Sequence, residues 1–161
     1  MKWSQWLEEW GLTKLKINAG FLEMELQPED HDRDAAWEMY IELLTRITTQ
    51  ALPTEDGDEQ TALESIYSLF GTTRDIIKRH SRHAKEFTKI AIVVLNQIVR
   101  PFTAKWHKHA LANGFEDVAM CEEFREELML LQKDLRIYTA MLGDMAGFEE
   151  DLTLLEQVNK V

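Results

Sequence analysis

The chain of 161 residues contains a single cysteine, Cys121, and only three prolines and seven glycines. One cysteine cannot form a disulfide within the chain, and a protein without disulfides suits a reducing compartment. The sequence therefore predicts a cytoplasmic protein, long enough to form one domain with a substantial core. The scarcity of proline and glycine leaves long stretches in which helices are not interrupted.

Long apolar runs are also absent. The longest strictly apolar run, Ile90–Leu95, is far too short to cross a bilayer. The tryptophan-rich segment near the N-terminus contains Glu8 and Glu9, whereas a signal peptide has a basic region followed by an apolar one. Interfacial membrane helices carry Lys or Arg on their polar face, which this segment does not. We therefore expect no secretion signal and no membrane partner.

The sequence also has none of the common motifs that mark an enzyme. It contains no glycine-rich dinucleotide-binding motif, no P-loop and no Gly-x-Ser-x-Gly nucleophile elbow. Pairs of adjacent glutamates occur, but none has a histidine or hydroxyl at a spacing that would make an acid–base couple. Because each pair lies beside an apolar stripe, it is typical of a solvated helix face. No cofactor is predicted.

What the chain does have is charge sorted into three blocks. Residues 72–109 contain nine Lys/Arg and only two acids, although the net charge of the whole chain is −11. The flanking segments, residues 1–71 and 110–161, are strongly acidic. The basic segment can pair with these acidic arms inside the fold, or it can face an anionic partner. The sequence leaves both alternatives open.

Apolar residues recur mostly at three- and four-residue spacing, which predicts helices. We expect a mainly all-α single domain over residues 1–161, built as a bundle of five or six helices. Residues 87–99 are apolar on nearly every side and are predicted to form a central, buried helix. Arg100-Pro101 is expected to end that helix, because proline disfavours helical backbone in the residue before it. Proline also suits the first turn of a helix, so a new helix with Phe102, Trp106 and Ala110 is expected to begin there.

Residues 1–27 are predicted to form a distinct part of the domain, ahead of a helical bundle over residues 31–161. They begin with a short amphipathic helix that ends at Gly11 and carries three tryptophans on one face: Trp3, Trp6 and Trp10. Residues 15–17 and 21–26 then alternate in polarity about a turn, a pattern that allows a short β-hairpin.

The C-terminal segment contains the most regular apolar stripe of the chain. Its members alternate at three and four residues, a heptad-like spacing that suits packing between helices. Gly143 and Gly147 are the expected break points of this helix. The stripe consists of Phe124, Leu128, Leu131, Leu135, Tyr138 and Leu142.

Residues 74–80 come nearest to a catalytic pattern. Arg74 and His80 at the ends of this segment resemble the Arg-x(4–6)-His signature of HEPN-fold ribonucleases, helical proteins often found as toxins or in defence systems. The resemblance implies a metal-independent site, usually built across a dimer, in which Arg74 holds phosphate and His80 does acid–base work. On an unbroken helix, however, the two residues point about 120° apart. A solvated basic helix end explains the same residues.

His80 and His83 have the i, i+3 spacing of a pair of metal ligands. A zinc site needs three or four converging ligands, and the surrounding arginines and lysines oppose cation binding, so no metal is predicted. The acidic runs at residues 30–34 and 56–58 lack the order of a calcium-binding loop. We expect these acids to cap helices and to keep loops solvated.

These features favour a non-catalytic function. We expect a protein-interaction or regulatory subunit of a cytoplasmic multi-protein assembly, whose partner is another protein or a second copy of the chain. The alternative is an RNA-binding protein or HEPN-like ribonuclease, with residues 72–109 facing the nucleic acid. The candidate partner-binding residues are Trp3, Trp6, Trp10, Arg74, Lys78, Arg79, Arg82 and Lys85.

Overall fold

A computed structural model describes residues 2–12 and 14–155 of the chain. These residues are mostly helical and contain no β-strand, so the predicted mainly all-α fold is confirmed. Within this described part, six helices of eight residues or more pack together, in agreement with a five- or six-helix bundle. In chain order the helices are α1 (Trp3–Trp10), α2 (Ala19–Leu22), α3 (Asp30–Leu44), α4 (Glu59–His80), α5 (Lys85–Val94), α6 (Arg100–Leu111) and α7 (Val118–Ala146).

The antiparallel pair of α3 and α7 makes the most extensive helix–helix contact of the bundle. Towards one end Tyr40 packs on Gly143. Beyond the same, C-terminal end of α3, the Gln132 side chain donates hydrogen bonds to the backbone carbonyls of Ile47 and Gln50, both at 2.7 Å. All six side chains of the predicted α7 stripe are buried. That stripe is therefore confirmed as a core-facing surface.

Two glycines of α7 have different roles. Gly147 ends the helix with φ +72, a left-handed conformation that favours glycine. Gly143 lies inside the helix, where an added Cβ would come within 3.3 Å of Tyr40 Cε2. The predicted break is therefore confirmed at Gly147 and wrong at Gly143. Gly143 instead lets α3 and α7 approach each other closely.

The helix ends carry the expected capping residues. Asp58 accepts a hydrogen bond from the Thr61 N–H at 2.7 Å and begins α4. The Thr61 hydroxyl and N–H together lower the pKa of Asp58, because both bonds favour the charged carboxylate. Asp117 caps α7 in the same way through the Ala119 N–H, at 2.9 Å. The acidic run at residues 56–58 thus supplies a helix cap, as predicted.

The prediction that one helix ends and another begins at Arg100-Pro101 is confirmed in part: α6 begins at Arg100 with Pro101 in its first turn, but the helical backbone is not interrupted there. After α5 the chain makes a π-helical turn, Leu95–Val99, and continues directly as α6. Proline lacks an N–H and collides with the carbonyl four residues earlier in an α-helix. The wider turn immediately before Pro101 breaks the regular α-helical pattern at the place where this conflict would arise. Residues 85–111 therefore form one continuous helical rod.

Residues 87–99 are buried on one face only. Phe87, Ile90 and Val94 belong to the core, but Ile92 on the other side of the helix is 49% exposed. The segment is therefore not buried on all sides as predicted, but its buried face contacts α3, α4 and α7.

The N-terminal β-hairpin does not form. Residues 19–22 instead make the single helical turn α2, which starts where the Asn18 side chain accepts a hydrogen bond from the Gly20 N–H at 2.8 Å. The backbone of Lys16 is paired with the Gln97 side chain, through its N–H at 2.7 Å and its carbonyl at 2.5 Å. Because a distant glutamine satisfies this backbone, the segment needs no second strand.

A basic corner as the candidate functional site

The chain reverses direction between α4 and α5 through a short 3-10 turn, Ser81–His83. Ser81 has φ +59 and ψ −157, a conformation that residues other than glycine rarely adopt and that costs on the order of 1–3 kcal/mol. The reversal places the end of α4 beside the start of α5. We use the term basic corner for the surface formed there by Arg74, Lys78, Arg82 and Lys85.

The four cations of the basic corner are exposed. Among the residues that the structure describes, none of the four has an ion-pair partner. Arg74 and Lys78 are one helical turn apart on α4, and Arg82 follows after the same interval in the turn. The positive charge of this surface is therefore available to an anionic partner.

Next to the basic corner, Glu38 of α3 holds the end of α4. One carboxylate oxygen, Oε1, lies 2.7 Å from Nε2 of His80, and the other pairs with Arg79. The His31 ring stacks on the His83 ring at 5.2 Å and meets the edge of the His80 ring at 6.0 Å. Arg79, one of the predicted partner-binding residues, is thus neutralised within the fold.

The buried Asp32 anchors both helices that begin at this site. Its Oδ2 accepts the N–H of Glu29 at 2.9 Å, and its Oδ1 accepts the N–H of Phe87 at 3.0 Å. Ala84 at the N-cap of α5 has no side-chain acceptor, so Asp32 supplies that cap from another helix. A capping role of Asp32 in α3 was predictable from the sequence, but its bond to a residue 55 positions away was not.

The histidines of this site are not arranged as metal ligands. Within the described ranges, no group of three or more His, Cys, Asp and Glu side chains is placed to hold a metal ion. The sequence pair of His80 and His83 is divided in the fold, since His80 bonds to Glu38 and His83 stacks on His31.

Arg74 and His80 are not brought together within one chain. Because α4 is unbroken from Glu59 to His80, the two residues keep their separation of about 120° around the helix. The His80 side chain is only 11% exposed and is bonded to Glu38, whereas Arg74 points into solvent.

The tryptophans of α1 pack into the core of the chain itself. Trp3 is 2% exposed and Trp6 is 5% exposed, while Trp10 is half-buried. The indole N–H groups of Trp3 and Trp10 are buried and have no hydrogen-bond partner among the described residues. Trp3 and Trp6, which were candidate partner-binding residues, are therefore not accessible to a partner.

Towards the other end of the basic segment, Lys105 is neutralised within the fold. Lys105 lies 2.7 Å from Glu123 and also pairs with Glu127. Glu127 accepts in addition the indole N–H of the fully buried Trp106, at 2.8 Å. The hydrogen bonds to the two glutamates raise the pKa of Lys105, and the bond to Lys105 lowers the pKa of Glu123.

None of the described helices combines the length and the apolar character needed to cross a membrane. Comparisons of the chain with protein-family models, with curated proteins and with solved structures found no match. The surface of the chain itself is therefore the guide to its function.

Proposed function

We propose that this chain is a non-catalytic interaction module of a cytoplasmic assembly, which binds an acidic partner protein through the basic corner. One observation carries the proposal: four exposed cations have no acidic partner among the described residues, although the chain as a whole has a net charge of −11. These four cations lie within residues 74–85 and, in the part of the chain that the structure describes, remain unpaired although the chain is rich in acids.

The other surfaces suggested by the sequence are occupied. The α7 stripe packs against α3, and Trp3 and Trp6 pack into the core. Of the surfaces that the sequence suggests, the cations of the basic corner are therefore the ones that remain accessible to a partner. Complementary charges mainly increase the association rate and select the correct partner, which suits a regulatory or assembly subunit.

A protein partner fits the basic corner better than RNA does. The corner offers four cations, and the exposed acids Glu29, Asp30 and Asp34 lie in the same region as His31 at the start of α3. RNA is a long polyanion, so the net negative charge of the chain opposes its approach. An acidic patch of limited size on a protein can bind the basic corner without coming close to the negatively charged rest of the chain.

The geometry also favours a non-catalytic function over a ribonuclease. A general acid or base must be able to reach the proton that it transfers. The imidazole of His80 is largely buried and bonded to Glu38, on a different side of α4 from Arg74. These contacts are those of a residue that fixes the end of a helix.

The proposal is tested by zero-length carbodiimide cross-linking in extracts of the cells that make the protein, because this reagent joins lysine amines to carboxylates. We expect partner peptides joined to Lys78 or Lys85. The variant Lys78→Glu/Arg82→Glu should lose this partner, and its free energy of unfolding should change by less than about 0.5 kcal/mol, since both side chains are exposed.

The matched control is Lys16→Glu/Lys108→Glu, which changes the net charge equally at two exposed sites outside the corner. If the cross-linked partner is lost in both variants, the basic corner is not a specific binding site. A gel-shift assay with end-labelled RNA at low and at physiological salt tests the alternative function, binding or cleavage of RNA. A shift that the corner variant abolishes would indicate an RNA-binding module, and cleavage lost only in Arg74→Ala/His80→Ala would indicate a HEPN-like ribonuclease.

A further inference from the structure

The outer face of α7 forms a second surface, which shares no residue with the basic corner. Met129 is 66% exposed and Leu130 is 68% exposed at the middle of this face. The exposed residues follow one another at alternating four- and three-residue intervals, on the side of the helix opposite the buried stripe. They are Glu122, Glu126, Met129, Lys133 and Arg136.

The charges on this face are ordered about the apolar centre. The acids Glu122 and Glu126 precede Met129, and the cations Lys133 and Arg136 follow it. Glu126 and Lys133 are exposed, and neither has an ion-pair partner among residues 2–12 and 14–155. Seven residues of helix separate them by roughly 10 Å, so they do not pair with each other along one helix.

We propose that this face binds a second copy of the chain, with the two α7 helices antiparallel about a two-fold axis. Glu126 and Lys133 are equally distant from the midpoint between Met129 and Leu130. A two-fold axis at that midpoint therefore sets Glu126 of each protomer opposite Lys133 of its partner and brings the apolar centres together. The interface is self-complementary, because one axis forms both ion pairs.

The charge order selects this arrangement among helix pairings. A parallel pair of α7 helices would set Glu126 against Glu126 and Lys133 against Lys133, and like charges in register repel. The outer pair, Glu123 and Arg136, has the same symmetry about the midpoint, but Glu123 is already bonded to Lys105. Glu126 and Lys133 are therefore the pair that sets the register.

Grooves on both sides of α7 complete the surface. One lies beside Leu130, has a volume of about 320 Å³ and is lined by Ile98 and Pro101. The other lies beside Met129, also has a volume of about 320 Å³, and includes Leu52. These grooves flank the apolar centre, and the contact between Met129 and Leu130 of the two protomers buries apolar surface on both copies.

The test is sedimentation velocity over a wide range of protein concentration, with charge reversals at the proposed pair. Wild type should dimerise reversibly. Glu126→Lys and Lys133→Glu should each weaken the dimer about tenfold or more, because each change turns two attractive contacts into repulsive ones. The double variant Glu126→Lys/Lys133→Glu should restore the wild-type affinity, since it exchanges the charges and keeps both pairs.

The matched control is Glu55→Lys, an equal change of net charge at an exposed loop residue. Both Glu126→Lys and Glu55→Lys make the chain less negative, so general repulsion predicts tighter dimers for both variants. Weakening by Glu126→Lys alone supports the specific pair. A wild-type protein that stays monomeric at every concentration, or a double variant that does not recover, would overturn the proposal.

Discussion

The two ends of the basic segment, residues 72–109, differ in how their cations are used. At the far end, Lys105 is held by Glu123 and Glu127. At the near end, Arg79 is paired with an acid of α3, whereas the basic corner has no acidic partner among the described residues. Within the same segment, Lys105 is thus paired with acids of α7, whereas the cations of the basic corner are left exposed.

The position of each end in the bundle explains the difference. The far end belongs to α6, which packs along α7, so acids of the C-terminal arm reach Lys105. The near end lies at a chain reversal, where α3 contributes Glu38 to Arg79 and His80. Opposite charges neutralise each other only where the helices bring them within reach. Charge that remains unpaired after folding is what a partner can recognise.

The largest effect should come from Asp32, which holds the near end in place. Asp32→Ala leaves the buried N–H of Phe87 without an acceptor and removes the cap of α3 as well. We expect a loss of about 2–3 kcal/mol in the free energy of unfolding, measured with urea.

Two variants serve as controls for this result. Asp32→Asn keeps a side-chain oxygen and should lose less stability than Asp32→Ala. Asp58→Ala removes an exposed cap and should cost only about 1 kcal/mol. If Asp32→Ala costs no more than Asp58→Ala, the role of Asp32 in joining α3 to α5 is wrong.

At the far end, Glu127→Ala should destabilise the protein by about 1–3 kcal/mol. The change leaves the indole N–H of the fully buried Trp106 without an acceptor and removes one partner of Lys105. Glu127→Gln keeps an oxygen for Trp106, so it should recover most of the loss in urea-unfolding experiments. Equal losses for the two variants would show that the charge of Glu127, and not its bond to Trp106, matters.

The smallest effect should be a difference in how acid changes the stability that Lys105 and Lys78 contribute, at the two ends of the basic segment. The bond to Lys105 lowers the pKa of Glu123 from its ordinary value of 4.5. The stability that this pair contributes is therefore fully present above pH 4.5 and is lost as the pH falls through the lowered pKa of the folded state. In urea unfolding, the stability difference between wild type and Lys105→Met should shrink over that range. Lys78→Met at the unpaired end should show no such change, and a parallel change there would contradict the comparison.

Much of the fold was predictable because local patterns and core packing agree. The α7 stripe is buried as its spacing indicates, and Gly11 and Gly147 end helices in the left-handed conformation. Asp58 caps α4 at the end of the clearest loop. In each case the deciding interactions lie within a few residues of one another, so a single sequence contains them.

The wrong predictions concern segments whose partners are distant in the sequence or whose geometry is irregular. Residues 15–26 alternate like a hairpin, but Gln97, 81 positions from Lys16, satisfies the backbone that a second strand would have paired. Pro101 was expected to end a helix, and the π turn before it lets the rod continue. Neither the hydrogen bonds of Gln97 nor the π turn can be recognised from the local sequence pattern.

The candidate site could be predicted only in part. The sequence identified the four cations of the basic corner as candidate partner-binding residues, and it included three tryptophans and Arg79 in the same set. The fold separates these groups: it buries Trp3 and Trp6 and pairs Arg79 with Glu38. The role of Asp32 at α5 was missed, because the local pattern explained only its cap of α3.

The sequence by itself determined the helical class, the core-facing stripe of α7 and the division of charge into three blocks. These depend on composition and on the helical period, which are local properties. Only the tertiary structure decided which cations are neutralised and which remain exposed, because the energy of an ion pair depends on distance and burial. The chain specifies how much charge of each sign it carries, and the packing of its helices specifies where that charge remains exposed.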